Sequence, residues 1–161
     1  MKTKTFLLSL LLLLPLLASC TFTARYATDR SVTELCEAAL QALDEDDLVL
    51  DTVGITDDYF SMPDTVTEHV IVYCKDTDCI DEFGIFRVEA GNTEAVAALL
   101  RKQYLAPAYE KNRDFYNSYI PDETVKLAEA RVECYGNVVV YAILSPADQS
   151  TLFSAIRKAL Q

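Results

Sequence analysis

The spacing of apolar residues changes period several times along the chain, and this change constrains the fold more than any other feature. A stripe at helical spacing comes first, and Ser31 and Glu34 at its start fit a capping box. Residues 69–73 and 83–88 are instead β-branched and aromatic, with the polar segment 75–78 between them. Such a pair of runs predicts a β-hairpin. The helical stripe contains Val32, Leu35, Cys36, Ala39 and Leu43.

A long helical pattern follows this first hairpin. Asn92 or Thr93 can cap it. Pro107 interrupts the pattern, and because proline cannot donate the helical hydrogen bond, we expect the helix to kink there or to split in two. Pro121 closes the region. Earlier in the chain, residues 48–65 show no regular pattern, so we predict neither helix nor strand there.

A second hairpin and a final helix complete the pattern. Gly136-Asn137 is a two-residue turn signal between two strand-like runs, and Pro146 begins the last helix. The order is therefore α-ββ-α-ββ-α within one domain at residues 31–161. This order predicts an α+β fold, with an antiparallel four-stranded sheet and helices packed on one face.

The first twenty residues have the pattern of an export signal. Lys2 and Lys4 precede an apolar core that is shorter than the about 20 residues of a membrane span. The core ends in LASC, which resembles a bacterial lipobox, where diacylglycerol alkylates the cysteine and the chain is cleaved before it. We therefore expect residues 1–19 to be a signal peptide, Cys20 to carry lipid, and residues 20–30 to contain this cysteine and a tether.

The expected location is the extracytoplasmic face of the cell membrane, reached through the lipid on Cys20. An ordinary secretory signal, or an uncleaved anchor with Cys20 present by chance, is the alternative. The net charge of −11 argues against nucleic acid as a partner, since nucleic acid is bound by basic patches.

Four further cysteines bear on the redox state of the chain. An even number in an exported protein suggests disulfides. Cys74 and Cys79 flank the first hairpin loop, where strand ends lie within disulfide reach, although free thiols are the alternative. Cys36 and Cys134 both lie on expected buried faces, so either a bridge or a plain core contact fits. The acids around the hairpin loop should raise the thiol pKa values there, which argues against a redox centre.

Four segments carry more than a periodic pattern. They are EFGIFRV at 82–88, FYNSYIP at 115–121, YGNVVV at 135–140 and ILSP at 143–146. In this order they resemble the DUF4358 family, a domain of unknown function found in small bacterial lipoproteins. The resemblance covers residues 31–160 and implies an envelope location. It implies no catalytic or binding residues, because the family has none assigned.

The sequence contains no recognisable motif for catalysis or metal binding. His69 is the only histidine, so any imidazole base would have to be this residue, and its place at a strand start needs no role. Two acidic clusters lack the spacing of a calcium loop, so a solvated surface explains them better and we expect neither metal nor cofactor. They comprise Asp44, Glu45, Asp46, Asp47 and Asp51, and then Asp76, Asp78 and Asp81.

Aromatic residues crowd the helix that Pro107 interrupts. Because tyrosine and arginine are enriched at interfaces, a candidate binding face comprises Tyr104, Tyr109, Arg113 and Tyr116. Core packing for some of them and an amphipathic surface for the rest is the alternative. We expect a non-enzymatic binding or envelope-accessory domain, whose partner is an unknown protein, peptide or cell-wall ligand. A thiol-redox or metal-dependent envelope enzyme is the alternative.

Overall fold

The computed structural model describes residues 26, 27, 29–43, 48–50, 61–76 and 78–161. Helices and strands follow one another in nearly the predicted order. They are α1 (Val32–Leu43), β1 (Leu48–Leu50), β2 (Val66–Cys74), β3 (Glu82–Val88), α2 (Thr93–Leu99), a π-helical turn (Leu100–Leu105), α3 (Ala106–Tyr119), α4 (Pro121–Ala128), β4 (Arg131–Tyr135), β5 (Val138–Ile143) and α5 (Pro146–Ala159).

The first and last helices begin where the sequence predicts. The Ser31 backbone N–H donates to Glu34 Oε2 at 2.9 Å, and the Glu34 N–H donates to Ser31 Oγ at 3.2 Å. This reciprocal pair is the predicted capping box, and it satisfies two donors that a helix start leaves unpaired. Helix α5 begins at Pro146, preceded by Ser145, whose hydroxyl accepts a hydrogen bond from the Asp148 N–H at 3.2 Å.

The sheet is antiparallel throughout, with the strand order β1-β2-β3-β5-β4. The second hairpin turns at Gly136, whose φ of 61° favours glycine. The α+β class, the element order and the four predicted strands are thus confirmed. The short edge strand β1 was not predicted, because its three residues carry no period of their own and depend on hydrogen bonds to β2.

Helices cover both faces of the sheet, so the prediction of helices on one face is wrong. Helices α1 and α5 pack on one face, against β-strand residues that include Phe83 and Val140. Helix α2, the π-helical turn and α4 pack on the other face, around Phe86 and Tyr141. The physical reason is that β5 is apolar at every position, and such a strand needs cover on both sides.

The long helix is interrupted before Pro107, as predicted. The π-helical turn ends where the Ala106 N–H donates to the Arg101 carbonyl, five residues back. Pro121 was expected to close the region, but in the structure it begins the short helix α4. Proline suits the first helical position because its missing N–H would have no partner there.

Two residues of the segment predicted as a tether contact the folded domain. The Tyr26 ring lies edge-on to Tyr135, with ring centroids 5.5 Å apart, and the Ala27 N–H donates to the Leu160 carbonyl at 2.7 Å. The predicted signal peptide, Cys20 and the first acidic cluster lie outside the described residues. Within the described part of the chain, no helix combines the length and the apolar character needed to cross a membrane.

Candidate functional site

A cavity of about 240 Å³ lies beside the first hairpin loop, between the sheet and the interrupted helix. Strand residues such as Ile71 and Ile143 form its apolar floor. The helical wall consists of residues four positions apart, which share one side of a helix. These are Tyr104, Ala108, Asn112 and Tyr116. The cavity therefore joins an apolar floor to a wall that carries hydroxyl and amide groups.

The four residues of the predicted binding face do not all lie at this cavity. Tyr104 and Tyr116 line the cavity. Tyr109 instead lines a separate depression of about 210 Å³. Arg113 is exposed, and its Nε lies 3.1 Å from Asp114 Oδ1. The structure thus brings two of the four residues, Tyr104 and Tyr116, to one site.

A carboxylate at the cavity is held by two phenols. The Tyr141 hydroxyl donates to Glu82 Oε1 at 2.6 Å, and the Tyr104 hydroxyl donates to the same oxygen. Tyr141 is fully buried, and this burial, followed by the charge of Glu82, raises its pKa well above its ordinary value. The phenol therefore remains protonated and keeps donating to the carboxylate. Sequence reasoning missed Glu82 and Tyr141, which meet only through the pairing of β3 with β5.

An ion cluster joins the hairpin loop to α4. Lys126 Nζ lies 2.7 Å from Asp81 Oδ1 and 2.9 Å from Glu123 Oε1, and all three side chains are less than one-fifth exposed. Burial lowers the pKa of Lys126, but the hydrogen bonds and charges of the two carboxylates outweigh burial and raise it overall. The Ile80 N–H donates to Glu123 Oε2 at 3.1 Å, so a side chain of α4 also binds the backbone of the loop.

The two loop cysteines lie beside this ion cluster. Cys74 and Cys79 line the cavity together with Asp81. Burial is the main cause that raises the pKa of Cys79, and the neighbouring Cys74 thiol raises it further. A raised thiol pKa means little thiolate, which opposes a redox role. Both thiols are free in this structure, and a disulfide between them stays a prediction.

The other two cysteines lie on opposite faces of the sheet. Cys36 belongs to the core beneath α1 and α5, and Cys134 packs at the edge of the other core. The sheet therefore separates them, and the structure contradicts a Cys36–Cys134 bridge. Burial, followed by the charge of Glu37, raises the pKa of Cys36 to about 11, as befits a thiol that serves as a small core residue.

His69 lies away from the cavity. It is exposed on β2, and its ring stacks on Phe86 with centroids 6.1 Å apart. In the described residues no hydrogen bond joins it to a serine or cysteine nucleophile.

Comparisons of the chain with protein-family models, with curated proteins and with solved structures found no match. The resemblance to the DUF4358 family therefore stays a prediction that rests on the four sequence segments.

Proposed function

We propose that this chain is an extracytoplasmic lipoprotein, anchored by lipid on Cys20, whose domain binds a protein, peptide or cell-wall ligand without chemical change. The single observation that supports binding is the cavity beside the first hairpin loop. The lipobox and the acidic composition support the location, because lipid supplies attachment that an acidic surface does not.

The size and lining of the cavity favour one inserted group rather than a large ligand. Its volume of about 240 Å³ is below the range of about 300–1,000 Å³ that is typical for drug-sized molecules. It suits a single side chain or a ring of a larger ligand. Apolar walls would bury such a group, while Glu82 and the Asn112 amide stand where they can orient its polar atoms.

The groups around the cavity argue against the enzymatic alternative. A thiol catalyst needs a lowered pKa, whereas burial raises the pKa of Cys79. The Glu82 carboxylate accepts two phenol hydrogen bonds at one oxygen, which fix its orientation. Binding is therefore the simpler role for this arrangement.

Filling the cavity tests the proposal. Ala108→Phe projects a ring from α3 into the cavity, so we expect crosslinking in cells to recover a partner or wall fragment with the wild-type chain and to lose it with this variant. Ala95→Phe, at an exposed position of α2, is the matched control and should leave recovery unchanged. Equal recovery with both variants, or no reproducible partner for the wild type, would refute binding at this cavity. Thermal unfolding of each variant checks that the fold is intact.

A further inference from the structure

We propose that the first hairpin loop and α4 form a site for one thiophilic divalent cation, such as Zn²⁺, with Cys74, Cys79, Asp81 and Glu123 as its ligands. The inference goes beyond the proposed function, because the metal site adjoins the cavity and does not require a ligand within it. Two thiolates and two carboxylates favour zinc over calcium or magnesium, which take oxygen ligands alone.

Three of the four ligand atoms already lie close together. The sulfur of Cys79 and one carboxylate oxygen each of Asp81 and Glu123 lie within 4.8 Å of one another. Zinc bond lengths imply ligand separations of roughly 3.5 Å in a tetrahedron, so the three groups need to approach by roughly 1 Å. Cys74 supplies the fourth ligand, since it lines the same cavity as Cys79 and Asp81.

The ammonium group of Lys126 already lies between two of the proposed ligands. The Lys126 ammonium bridges Asp81 and Glu123 at 2.7 and 2.9 Å, which shows that the two carboxylates attract positive charge there. On metal binding the two thiols release their protons to solvent as two zinc–sulfur bonds form. One dication thus replaces two protons, and the local charge does not change. The lysine stays protonated, and its flexible stem lets the ammonium swing outwards.

Backbone hydrogen bonds hold the proposed ligands in place. The Ile80 N–H donates to Glu123 Oε2, and the Cys74 N–H donates to the Asp81 carbonyl at 2.7 Å. Such outer hydrogen bonds orient the ligands of protein metal sites. They also restrict the loop, which lowers the entropy lost when a metal binds.

Cobalt titration tests the site. We would add Co²⁺ to the full-length chain in detergent and a phosphine reductant, and follow the near-ultraviolet absorption that arises from thiolate–cobalt bonds. We expect one equivalent to bind with this absorption, and Zn²⁺ to displace it. Cys79→Ser leaves one thiolate ligand, so it should clearly weaken the band and weaken binding by at least about tenfold. Cys134→Ser, which alters a thiol outside the cluster, should leave both unchanged. No band in the reduced wild type, or a band of undiminished intensity in Cys79→Ser, would overturn the proposal.

Two further measurements test the role of the lysine and the state of the thiols. Lys126→Leu removes the competing cation, so cobalt should bind about tenfold more tightly. Equal or weaker binding would overturn displacement of the lysine. Intact-mass analysis of protein from native membranes, with and without reduction before alkylation, reports the thiols. A complete Cys74–Cys79 disulfide would use up two ligands and overturn the metal site.

Discussion

Gly84 shows how closely side chains pack in the middle of the sheet. It lies on β3, and a Cβ atom there would stand 2.3 Å from Tyr141 Cε1 and 2.9 Å from Phe86 Cε2. Both rings belong to the core covered by α2 and α4. The Tyr141 ring is also held through its hydroxyl on Glu82, so it has little freedom to move aside. The glycine is therefore required by the packing of the phenol that supports the cavity.

We expect Gly84→Ala to lower the free energy of unfolding by about 1–3 kcal/mol, because the added methyl group overpacks a rigid part of the core. Urea unfolding followed by circular dichroism measures the change. Gly91→Asn is the comparison, since Gly91 has a positive φ but nothing within 4 Å of a Cβ, and asparagine tolerates that backbone. A Gly84→Ala variant as stable as the wild type would contradict the packing described.

At the scale of elements, the π-helical turn decides which residues of the long helix reach the cavity. It buries the consecutive residues Tyr104 and Leu105, and the α-helical repeat then resumes. From there Ala108, Asn112 and Tyr116 continue the cavity wall at four-residue spacing. The turn precedes Pro107, whose missing N–H already weakens the helical pattern. A break in the helix thus sets the composition of the candidate site.

The capping box of α1 gives a prediction at the same scale. Ser31→Ala removes the hydroxyl that accepts the Glu34 N–H, so we expect a loss of about 0.5–2 kcal/mol in the free energy of unfolding. Ser150→Ala is the control, because the Ser150 hydroxyl only donates to the Pro146 carbonyl within α5. Chemical denaturation of both variants makes the comparison. Equal stabilities for the two would show that the box does not stabilise the helix.

For the whole molecule, one sheet separates two cores. One core lies under α1 and α5, and the other lies under α2, the π-helical turn and α4. The cavity, the Glu82 carboxylate and the proposed metal ligands gather at the end of the sheet near the first hairpin loop. The core beneath α1 and α5 therefore lies on the opposite face of the sheet from the cavity.

The proposed anchor gives a prediction for the chain as a whole. We expect protein purified from its native membrane to have the mass of a chain that starts at Cys20 and carries acyl chains. The Cys20→Ala variant should lose the acyl mass and retain residues 1–19, because lipid on the cysteine precedes cleavage. Cys134→Ala should remain lipidated. An unprocessed N-terminus, or a wild-type chain without lipid on Cys20, would contradict the anchor.

Features that depend on neighbours along the chain could be predicted from the amino-acid sequence. The capping box at Ser31, the hairpin turn at Gly136 and the interruption before Pro107 all follow from local backbone chemistry. The α+β class follows as well, since periods of helices and strands are local patterns. Of the candidate site, the sequence identified Tyr104, Tyr116 and the loop cysteines, but not the groups that join them.

Contacts between residues far apart in the sequence become visible in the folded protein. Glu123 accepts the Ile80 N–H across 43 residues, and Tyr141 reaches Glu82 across 59, so neither pair has a signal in local spacing. Cover on both faces of the sheet and the short strand β1 depend likewise on packing between elements. A periodic pattern states which face of an element is apolar, whereas the partner of that face depends on the free energy of the assembled fold.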